Sequence, residues 1–442
     1  MSDEIGRRDA DLTARRVVTG LRERGIEPGA MVAFSCPNSP ALLAAVFGCL
    51  RGGYAPVVLS ATLTTYERDD MLADLPIALV IDVGVLGALC GTSLDIGRGA
   101  GPALSDHFGC RPLHFTSGTS GRPKAVWSGW LTEGAAAALA DDEQAVWRFG
   151  AADRHLVNAP LSHSAPLRFA LNTLLHGGAV VVPPSFDPSL VRDLLEGAAV
   201  TTTFMAPAHL QRLLTQAPPR RHGLRLVAHA GSACPAWVKE LALEHLGAAE
   251  VTEFYGSTEA QFTVCTREDW ATHPSSVGRA RPGRELRVVD GQIWCRTPEF
   301  ARFEYWGDAD KTAAAWDGDW VTVGDLGRLD ADGFLHLDGR RSDLVVTGGV
   351  NVYPAEVERV LGELRGVDKI CVVGVDDEQW GQRVCAVLTG EVTEDEVRAY
   401  AATHLAPYKR PKTYAIVEQL PLTHSGKTDR TRVAEALAAG GS

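Results

Sequence analysis

Short apolar runs alternate with helix-like segments through the first 260 residues of the chain. Strands with such continuous apolar texture are buried on both faces, which is typical of parallel sheets covered by helices. We therefore predict an α/β fold whose ligands bind at the carboxyl ends of the strands. The predicted strands are Met31–Ser35, Tyr54–Leu59, Ile77–Ile81, Gly178–Val182, Val200–Phe204, Leu224–His229 and Val251–Tyr255, and the predicted helices include 12–24, Pro40–Arg51 and Leu167–Leu175.

The texture changes after Glu285, where the runs become shorter and Gly-Asp turns appear. We expect a small β-rich subdomain between residues 280 and 338. Beyond residue 342 helices and strands alternate on a smaller scale. The predicted architecture is therefore a large N-terminal domain of parallel sheets flanked by helices, with a small β-rich subdomain, followed by a small α+β C-terminal domain. The elements expected in that last domain are Pro354–Leu364, Lys369–Val375, Cys385–Leu388, Glu394–His404 and Tyr414–Val417.

Composition restricts the partners of the protein. The chain has 442 residues and a formal net charge of −12, whereas general nucleic-acid binders carry a basic footprint. No apolar run is long enough to span a membrane, and the first residues lack the apolar core of a signal peptide. The nine cysteines are scattered and include no Cys-x-x-Cys pair, which favours reduced thiols over disulfides or zinc. We expect a cytoplasmic enzyme whose partners include neither nucleic acid nor membrane.

The segment from Phe115 to Lys124 has the composition of a phosphate-binding loop. Its glycines let backbone N–H groups close around an anion, its hydroxyl residues add donors, and Lys124 adds positive charge. The common P-loop has Ser or Thr after its lysine, whereas Ala125 follows Lys124 here. The residues expected to bind phosphate are Thr116, Ser117, Gly118, Thr119, Ser120 and Gly121.

This loop resembles the Thr-Ser-Gly-Thr-Thr-Gly-x-Pro-Lys-Gly motif of the adenylate-forming enzymes, with Ala125 in place of the last glycine. These enzymes include acyl- and aryl-CoA synthetases, peptide-synthetase adenylation domains and firefly luciferase. The resemblance covers nearly the whole chain, and it implies an enzyme that uses ATP and Mg²⁺ to convert a carboxylic acid to an acyl-adenylate and pyrophosphate. The acyl group then passes to a thiol, for which CoA is the first expectation. Lys124 is expected to be catalytic in this scheme.

The segment Tyr255-Gly256-Ser257-Thr258-Glu259 carries a second part of the resemblance, and it closes a predicted strand. The family pattern implies that Tyr255 lies against adenine and that Gly256 and Ser257 belong to the nucleotide site. It also implies that Thr258 bonds the α-phosphate as a catalytic residue and that Glu259 binds Mg²⁺. A carboxylate oxygen suits this hard cation.

Two further segments complete the implied nucleotide site. Gly231 and Ser232 match a small-residue loop that lets adenine approach the backbone, although an ordinary strand-to-helix turn has a similar composition. Asp325 matches the aspartate that binds the ribose hydroxyls, and Arg340 matches its partner near the ribose and phosphate.

Lys427 lies in a Ser-Gly-Lys context that resembles the late catalytic lysine of the family. In this interpretation it reaches the α-phosphate and the substrate carboxylate when a mobile lid domain closes. The resemblance implies an AMP-binding domain at 1–338, a hinge at 339–343 with Ser342 at the pivot, and the lid at 344–442.

His163 matches a family histidine near the acyl pocket, where it is expected to contact the carboxylate or gate the pocket. A core or surface histidine is the alternative. Trp127, Phe169, Phe204 and Phe262 either form an aryl slot or belong to the core. We expect an aryl or medium-sized acid to be preferred over a long fatty acid.

Other functions remain open from the sequence. A stand-alone enzyme could load an acyl carrier protein, and a related chemistry activates nitrite with ATP to diazotise an aromatic amine. CoA is favoured as acceptor because Gly348–Pro354 resembles the turn that enters the site for the second half-reaction. A non-catalytic adenylate sensor is disfavoured because Lys124, Glu259 and Lys427 are all present.

Overall fold

The computed structural model describes residues 4–92, 102–116, 123–197, 199–247, 249–340, 343–347, 350–377, 381–423 and 426–439. Its strands are β1 (Glu4–Gly6), β2 (Met31–Phe34), β3 (Ala55–Val58), β4 (Ile77–Ile81), β5 (His114–Thr116), β6 (Lys124–Trp127), β7 (Arg154–Val157), β8 (Ala179–Val181), β9 (Thr202–Met205), β10 (Leu226–His229), β11 (Glu250–Glu253), β12 (Thr263–Val264), β13 (Arg279–Ala280), β14 (Glu285–Val289), β15 (Gln292–Arg296), β16 (Glu304–Tyr305), β17 (Trp316–Asp317), β18 (Trp320–Val321), β19 (Asp325–Leu329), β20 (Leu335–Arg340), β21 (Val345–Thr347), β22 (Val350–Val352), β23 (Val367–Asp377), β24 (Gly381–Gly390) and β25 (Thr413–Ile416).

The helices are α1 (Arg7–Glu23), α2 (Pro40–Gly52), α3 (Thr65–Leu72), α4 (Val83–Cys90), α5 (Glu133–Trp147), α6 (Ser164–Leu175), α7 (Pro188–Gly197), α8 (Pro207–Gln216), α9 (Ala236–Leu246), α10 (Arg267–Thr272), α11 (Ala309–Ala315), α12 (Pro354–Gly362), α13 (Glu394–His404) and α14 (Arg430–Ala439). Short 3₁₀ helices span Glu299–Ala301 and Pro407–Lys409. Across the part of the chain that these elements cover, we find no helix long and apolar enough to cross a membrane.

The central sheet has the strand order β1-β8-β7-β9-β10-β11. Every neighbouring pair is parallel except β1 and β8, so the strands from β7 to β11 end at the same edge. At that edge β10 leads to Gly231 and β11 leads to Tyr255. The sheet therefore brings together two segments that the sequence placed in the nucleotide site.

A second parallel sheet has the order β3-β2-β4, and helices α1 and α2 pack together beside it. The two helices approach closely at Gly48, where an added Cβ would lie only 2.7 Å from the Ala14 Cα. Such a crossing needs glycine, because a side chain would overpack the interface. Both parallel sheets confirm the α/β prediction.

The β-rich part begins near residue 279 and ends with β20. Its main sheet has the antiparallel order β17-β18-β15-β19-β20, with β14 also paired to β15. Strand β16 leaves this region and pairs with β6, which forms a hairpin with β5. The β-rich subdomain is therefore joined directly to the hairpin whose connecting loop is expected to bind phosphate.

The C-terminal part forms its own α+β unit. Its sheet has the order β22-β21-β24-β23, with β25 parallel to β24, and Val357, Val372 and Leu388 are among the residues of its hydrophobic core. Polar contacts join this unit to the rest of the chain. The Ala236 N–H at the start of α9 donates to both carboxylate oxygens of Glu363, at 2.8 and 3.0 Å.

The fold class predicted from the sequence is confirmed, including the large N-terminal and small C-terminal parts. The domain limits at 338 and 344 stay predictions. The expected pivot Ser342 and the glycines Gly348 and Gly349 lie outside the described residues.

Candidate active site

Thr116 and Lys124 lie opposite each other in the β5–β6 hairpin. The Thr116 hydroxyl donates to the Lys124 carbonyl oxygen at 3.5 Å, and Lys124 Nζ forms an ion pair with Asp308 Oδ2 at 3.1 Å. The hairpin thus holds the two ends of the expected phosphate loop together, with a cation at one end. The loop residues Ser117, Gly118, Thr119, Ser120 and Gly121 lie outside the described residues.

The Tyr255–Glu259 segment turns sharply after β11. Gly256 is required there, because an added Cβ would lie 2.6 Å from the Ala260 carbonyl oxygen. Ser257 and Thr258 follow, both half-buried. The Tyr255 hydroxyl donates to Asp325 Oδ2 at 2.6 Å, so the expected adenine and ribose residues are in direct contact.

The expected metal ligand Glu259 is buried, with 6% of the residue exposed. Its Oε1 accepts a hydrogen bond from the Tyr305 hydroxyl at 3.0 Å. Among the residues that the structure describes, no hydrogen bond to its Oε2 is found. A carboxylate with one oxygen engaged and one available fits a Mg²⁺ ion that takes its other ligands from phosphate and water.

The remaining nucleotide residues lie around this centre. Gly231 has a φ of +101°, and both Gly231 and Ser232 are exposed at the end of β10. Such an open glycine lets a flat ring approach the backbone. Asp325 and Arg340 are register partners in the β19–β20 ladder, which holds their backbones side by side.

Lys427 lies near His163, although the two residues are far apart in the sequence. His163 is the half-buried N-cap residue of α6. Burial lowers the pKa of His163, and the positive charge of Lys427 lowers it further. The imidazole is therefore neutral at pH 7, and the C-terminal unit places a cation beside it.

Comparison with known proteins gives the family. The model of the AMP-binding enzyme family matches residues 4–96 and 111–300, and that of the AMP-binding enzyme C-terminal domain matches 356–427. The chain belongs to the AMP-binding enzyme family. Feruloyl-CoA synthase from Amycolatopsis sp is 33% identical over 460 residues, which cover 95% of this chain and 91% of the relative.

Solved structures agree with this assignment. The amide bond synthetase McbA from Marinactinospora thermotolerans has a TM-score of 0.84 and 27% identity, covering 97% of this chain and 94% of that one. The o-succinylbenzoate CoA synthetase of Bacillus subtilis, solved with ATP and a magnesium ion, has a TM-score of 0.83 and 26% identity, covering 96% and 93%. The resemblance to adenylate-forming enzymes is confirmed, and the protein is an AMP-forming acid–thiol ligase.

Several residues near this AMP-binding site escaped the sequence analysis. Arg111 Nη1 donates to the Glu259 carbonyl oxygen at 3.1 Å. Burial lowers the pKa of Arg111 to about 10, while the Glu259 charge acts against that shift. Burial also lowers the pKa of Lys311, whose ammonium lies 4.1 Å from the centre of the Tyr305 ring. Asp308, the ion-pair partner of Lys124, is the one of these residues whose structural role the sequence indicates, because an Asp before an Ala-rich segment is a typical N-cap.

The four aromatic residues considered for an aryl slot belong to the core. Phe169 and Phe262 have no exposed surface, Phe204 is 5% exposed and Trp127 is 6% exposed. None of them lines the cavity of about 100 Å³ that lies between α5, α6 and the Ser257–Gln261 segment. The core interpretation is therefore the one that the structure confirms.

The electrostatic effect of Lys427 on His163 can be tested in solution. We expect Lys427→Ala to raise the pKa of His163, because it removes a positive charge that disfavours the imidazolium. Burial is the larger cause, so the pKa should stay below the usual value of about 6.5. Histidine-ring NMR across pH, with His163→Gln used for assignment, measures the change.

A matched control comes from a second pair across the same interface. Lys369 is among the charges that lower the pKa of His209, which burial brings to about 4. Lys369→Ala should raise the pKa of His209 and leave that of His163 unchanged. An unchanged His163 pKa in Lys427→Ala would contradict the observed position of Lys427.

Proposed function

We propose that the protein activates a compact carboxylic acid with ATP and Mg²⁺ and then transfers the acyl group to the thiol of CoA. The observation that carries this proposal is that the charge of Lys427 acts on His163, whose neighbour Ser164 lines one cavity together with Ser257 and Thr258. In this proposal Lys427 and Lys124 supply the positive charge, Thr258 supplies a hydroxyl, and Glu259 supplies a buried carboxylate around one space. This set suits a reaction in which negative charge builds up on a phosphate.

In the first half-reaction an oxygen of the acid's carboxylate attacks the α-phosphorus of ATP, and the bond to the departing pyrophosphate breaks. Charge grows on the phosphate oxygens, where fixed cations and donors stabilise it. Lys427 is suited to this role because it lies beside the neutral His163, which can donate a hydrogen bond to the carboxylate. Thr258 would bond the α-phosphate, and Lys124 would neutralise the phosphate chain.

The nucleotide would be held by residues from three loops. The contact between the Tyr255 hydroxyl and Asp325 supports a site in which the ring lies against adenine and the carboxylate accepts from the ribose hydroxyls. Gly231 and Ser232 would form the opposite wall. Arg340 would contact the ribose or phosphate. Mg²⁺ held at Glu259 would offset part of the phosphate charge.

In the second half-reaction the sulfur of a thiolate attacks the acyl carbonyl carbon, and the bond to AMP breaks. CoA is the proposed thiol, a choice supported by relatives that are feruloyl-CoA synthase and indoleacetate–CoA ligase. We further propose that residues 344–442 act as the lid, with the pivot in 339–343. An acyl carrier protein is the acceptor to be tested beside CoA.

The proposed function is tested by acid-dependent exchange of pyrophosphate into ATP. We expect benzoate- or cinnamate-type acids and short acids to support exchange more efficiently than palmitate, because a cavity of about 100 Å³ cannot hold a long chain. Added CoA should then yield the corresponding thioester, detected by mass spectrometry. Higher efficiency with palmitate would contradict the proposed preference for compact acids. A product formed only with a holo-carrier protein would show that the carrier protein, rather than CoA, is the acceptor.

The Mg²⁺ role of Glu259 gives a separate prediction. Glu259→Gln should raise the Mg²⁺ concentration needed for half-maximal exchange by roughly tenfold or more, because it removes a charged oxygen ligand. Tyr305→Phe is the matched variant, since it removes only the hydrogen bond to Oε1 and should cause a smaller change. An unchanged Mg²⁺ requirement in Glu259→Gln would place the metal elsewhere.

Lys427 should serve only the first half-reaction if residues 344–442 act as a lid. Lys427→Ala should then slow formation of the acyl-adenylate by roughly a hundredfold or more, as expected for a lost transition-state contact. The same variant, supplied with synthetic acyl-adenylate and CoA, should form the thioester at close to the wild-type rate. Equal losses in both single-turnover assays would argue for a fixed site.

A further inference from the structure

The cavity beside the proposed acyl-adenylate site is bounded by one face of α6. Ser164, Arg168, Leu171 and Asn172 line it, and their spacing places them on a single side of the helix. Ser257 and Thr258 form another part of the wall. Because Ser164 directly follows His163, the cavity extends inward from the position proposed for the reacting carboxylate.

Arg168 is the unusual group in this cavity. Within the described part of the chain its guanidinium makes no hydrogen bond, and its Nε and Nη2 atoms are fully buried. Its nearest charged partner is Glu143, whose Oε2 lies 3.5 Å from the Arg168 Nε. A buried donor without an acceptor costs about 1–3 kcal/mol, and more when it is charged. The guanidinium also lies 5.5 Å from the centre of the Phe169 ring and 5.2 Å from that of Phe254, and neither ring offers an oxygen acceptor to its N–H groups. An acceptor inside the cavity would supply one.

Glu143 meets that requirement only in part, because its Oε2 pairs with Arg168 Nε at 3.5 Å without a hydrogen bond, while its Oε1 is engaged by other groups. Its Oε1 accepts from Gln261 Nε2 at 3.1 Å and from Arg281 Nη2 at 3.2 Å. Burial favours the neutral form of Glu143, but the charges of Arg168, Arg281 and Arg284 outweigh it and lower its pKa. Glu143 is therefore ionised and shared among several cations.

The charges that line the cavity do not balance. Arg111, Arg168 and Arg284 contribute three positive charges, whereas Asp142 and Glu143 contribute two negative ones. His114 adds no charge at pH 7, since burial lowers its pKa to about 4 and its Nδ1 contacts the Ser162 carbonyl oxygen. The surplus is one positive charge, and among the described residues Arg168 is the arginine of this lining whose guanidinium makes no hydrogen bond.

We propose that Arg168 binds a second anionic group on the acid substrate, so that the enzyme prefers compact dicarboxylate-type acids. This inference rests on the proposed function. His163 and Arg168 are five residues apart, or roughly 7–8 Å along the helix. An acid held at His163 by one carboxylate can therefore present the other to Arg168 only if the two groups are a short distance apart.

The size of the cavity limits the same substrate. Its volume of about 100 Å³ is smaller than an engineered cavity of about 150 Å³ that accepts benzene. A short linker between the two anionic groups fits this space, whereas an extended chain does not. Ordered water is the competing occupant, because it would also satisfy the Arg168 donors.

The test compares acids that differ only in the second anionic group. Pyrophosphate exchange is measured with succinate against butanoate and with glutarate against pentanoate. We expect the wild-type enzyme to have a kcat/KM at least tenfold higher for the dianionic member of at least one pair. Arg168→Met should reduce that ratio at least tenfold, mainly through a higher KM for the dianionic acid.

Control variants separate recognition from general damage. Arg287→Gln removes the same charge from a half-buried surface position that contacts Asp317 and two tryptophan rings, and it should leave the ratio unchanged. If Arg168→Met does not fold, Arg168→Gln and Arg168→Lys replace it, and only the lysine variant should retain part of the preference.

The outcomes distinguish the two proposals. Two results would overturn the inference and mean that the cavity holds water only. In one, the wild-type enzyme uses the monocarboxylates as well as the dianionic acids. In the other, loss of Arg168 leaves the ratio of the two kcat/KM values unchanged. The proposed adenylation would stand in that case, because the monocarboxylates would still support exchange. Absence of exchange with every acid would overturn the proposed function and this inference with it.

Discussion

Arg111 joins three parts of the site through the carbonyl groups that its guanidinium binds. Its Nη1 donates to Glu259 at 3.1 Å, and its Nη2 donates to Arg302 at 3.0 Å and to Ala301 at 3.4 Å. A buried guanidinium is costly unless its donors are satisfied, so these backbone segments cannot move independently. The loop after the central sheet is thereby fixed to the β-rich sheet, and the position of the Glu259 carboxylate depends on this link.

Buried charges on α5 make a second link to the β-rich part. Arg281 and Arg284 both contact Asp142, and Arg281 also reaches Gln261 in the cavity wall. Such pairs add little net stability, because desolvation offsets their attraction, yet loss of one partner leaves a costly unpaired charge. In this structure the pairs fix the position of α5 relative to the β-rich part. They engage Asp142 and the Oε1 atom of Glu143, so only the Glu143 Oε2 atom faces Arg168.

Features with a local signal were predicted well from the sequence. Strand Ile77–Ile81 and helix Glu394–His404 have the predicted limits. The strand is a single apolar run, and the helix begins directly after its capping residue. Arg111 and Arg168 had no such signal. Arg111 binds a carbonyl 148 residues away, and the significance of Arg168 depends on a cavity formed by several elements. Chain-distant contacts of this kind leave no period or motif in the sequence, so only the folded arrangement reveals them.

Electrostatics also suggests why the arrangement with Lys427 at the site suits only one half-reaction. Lys427 carries a positive charge that acts on His163, and the part of the proposed site near Glu259 already holds the cations Lys124, Lys311 and Arg111 with the carboxylates of Asp308 and Glu259. In a partly buried region such like charges repel one another appreciably unless an anion lies between them. ATP and the carboxylate supply that anion under the proposed function. When pyrophosphate leaves, much of the negative charge leaves with it, and the attraction that would hold Lys427 at the site weakens. Under the proposed function, the first step would then favour withdrawal of the proposed lid, residues 344–442, before a thiol enters.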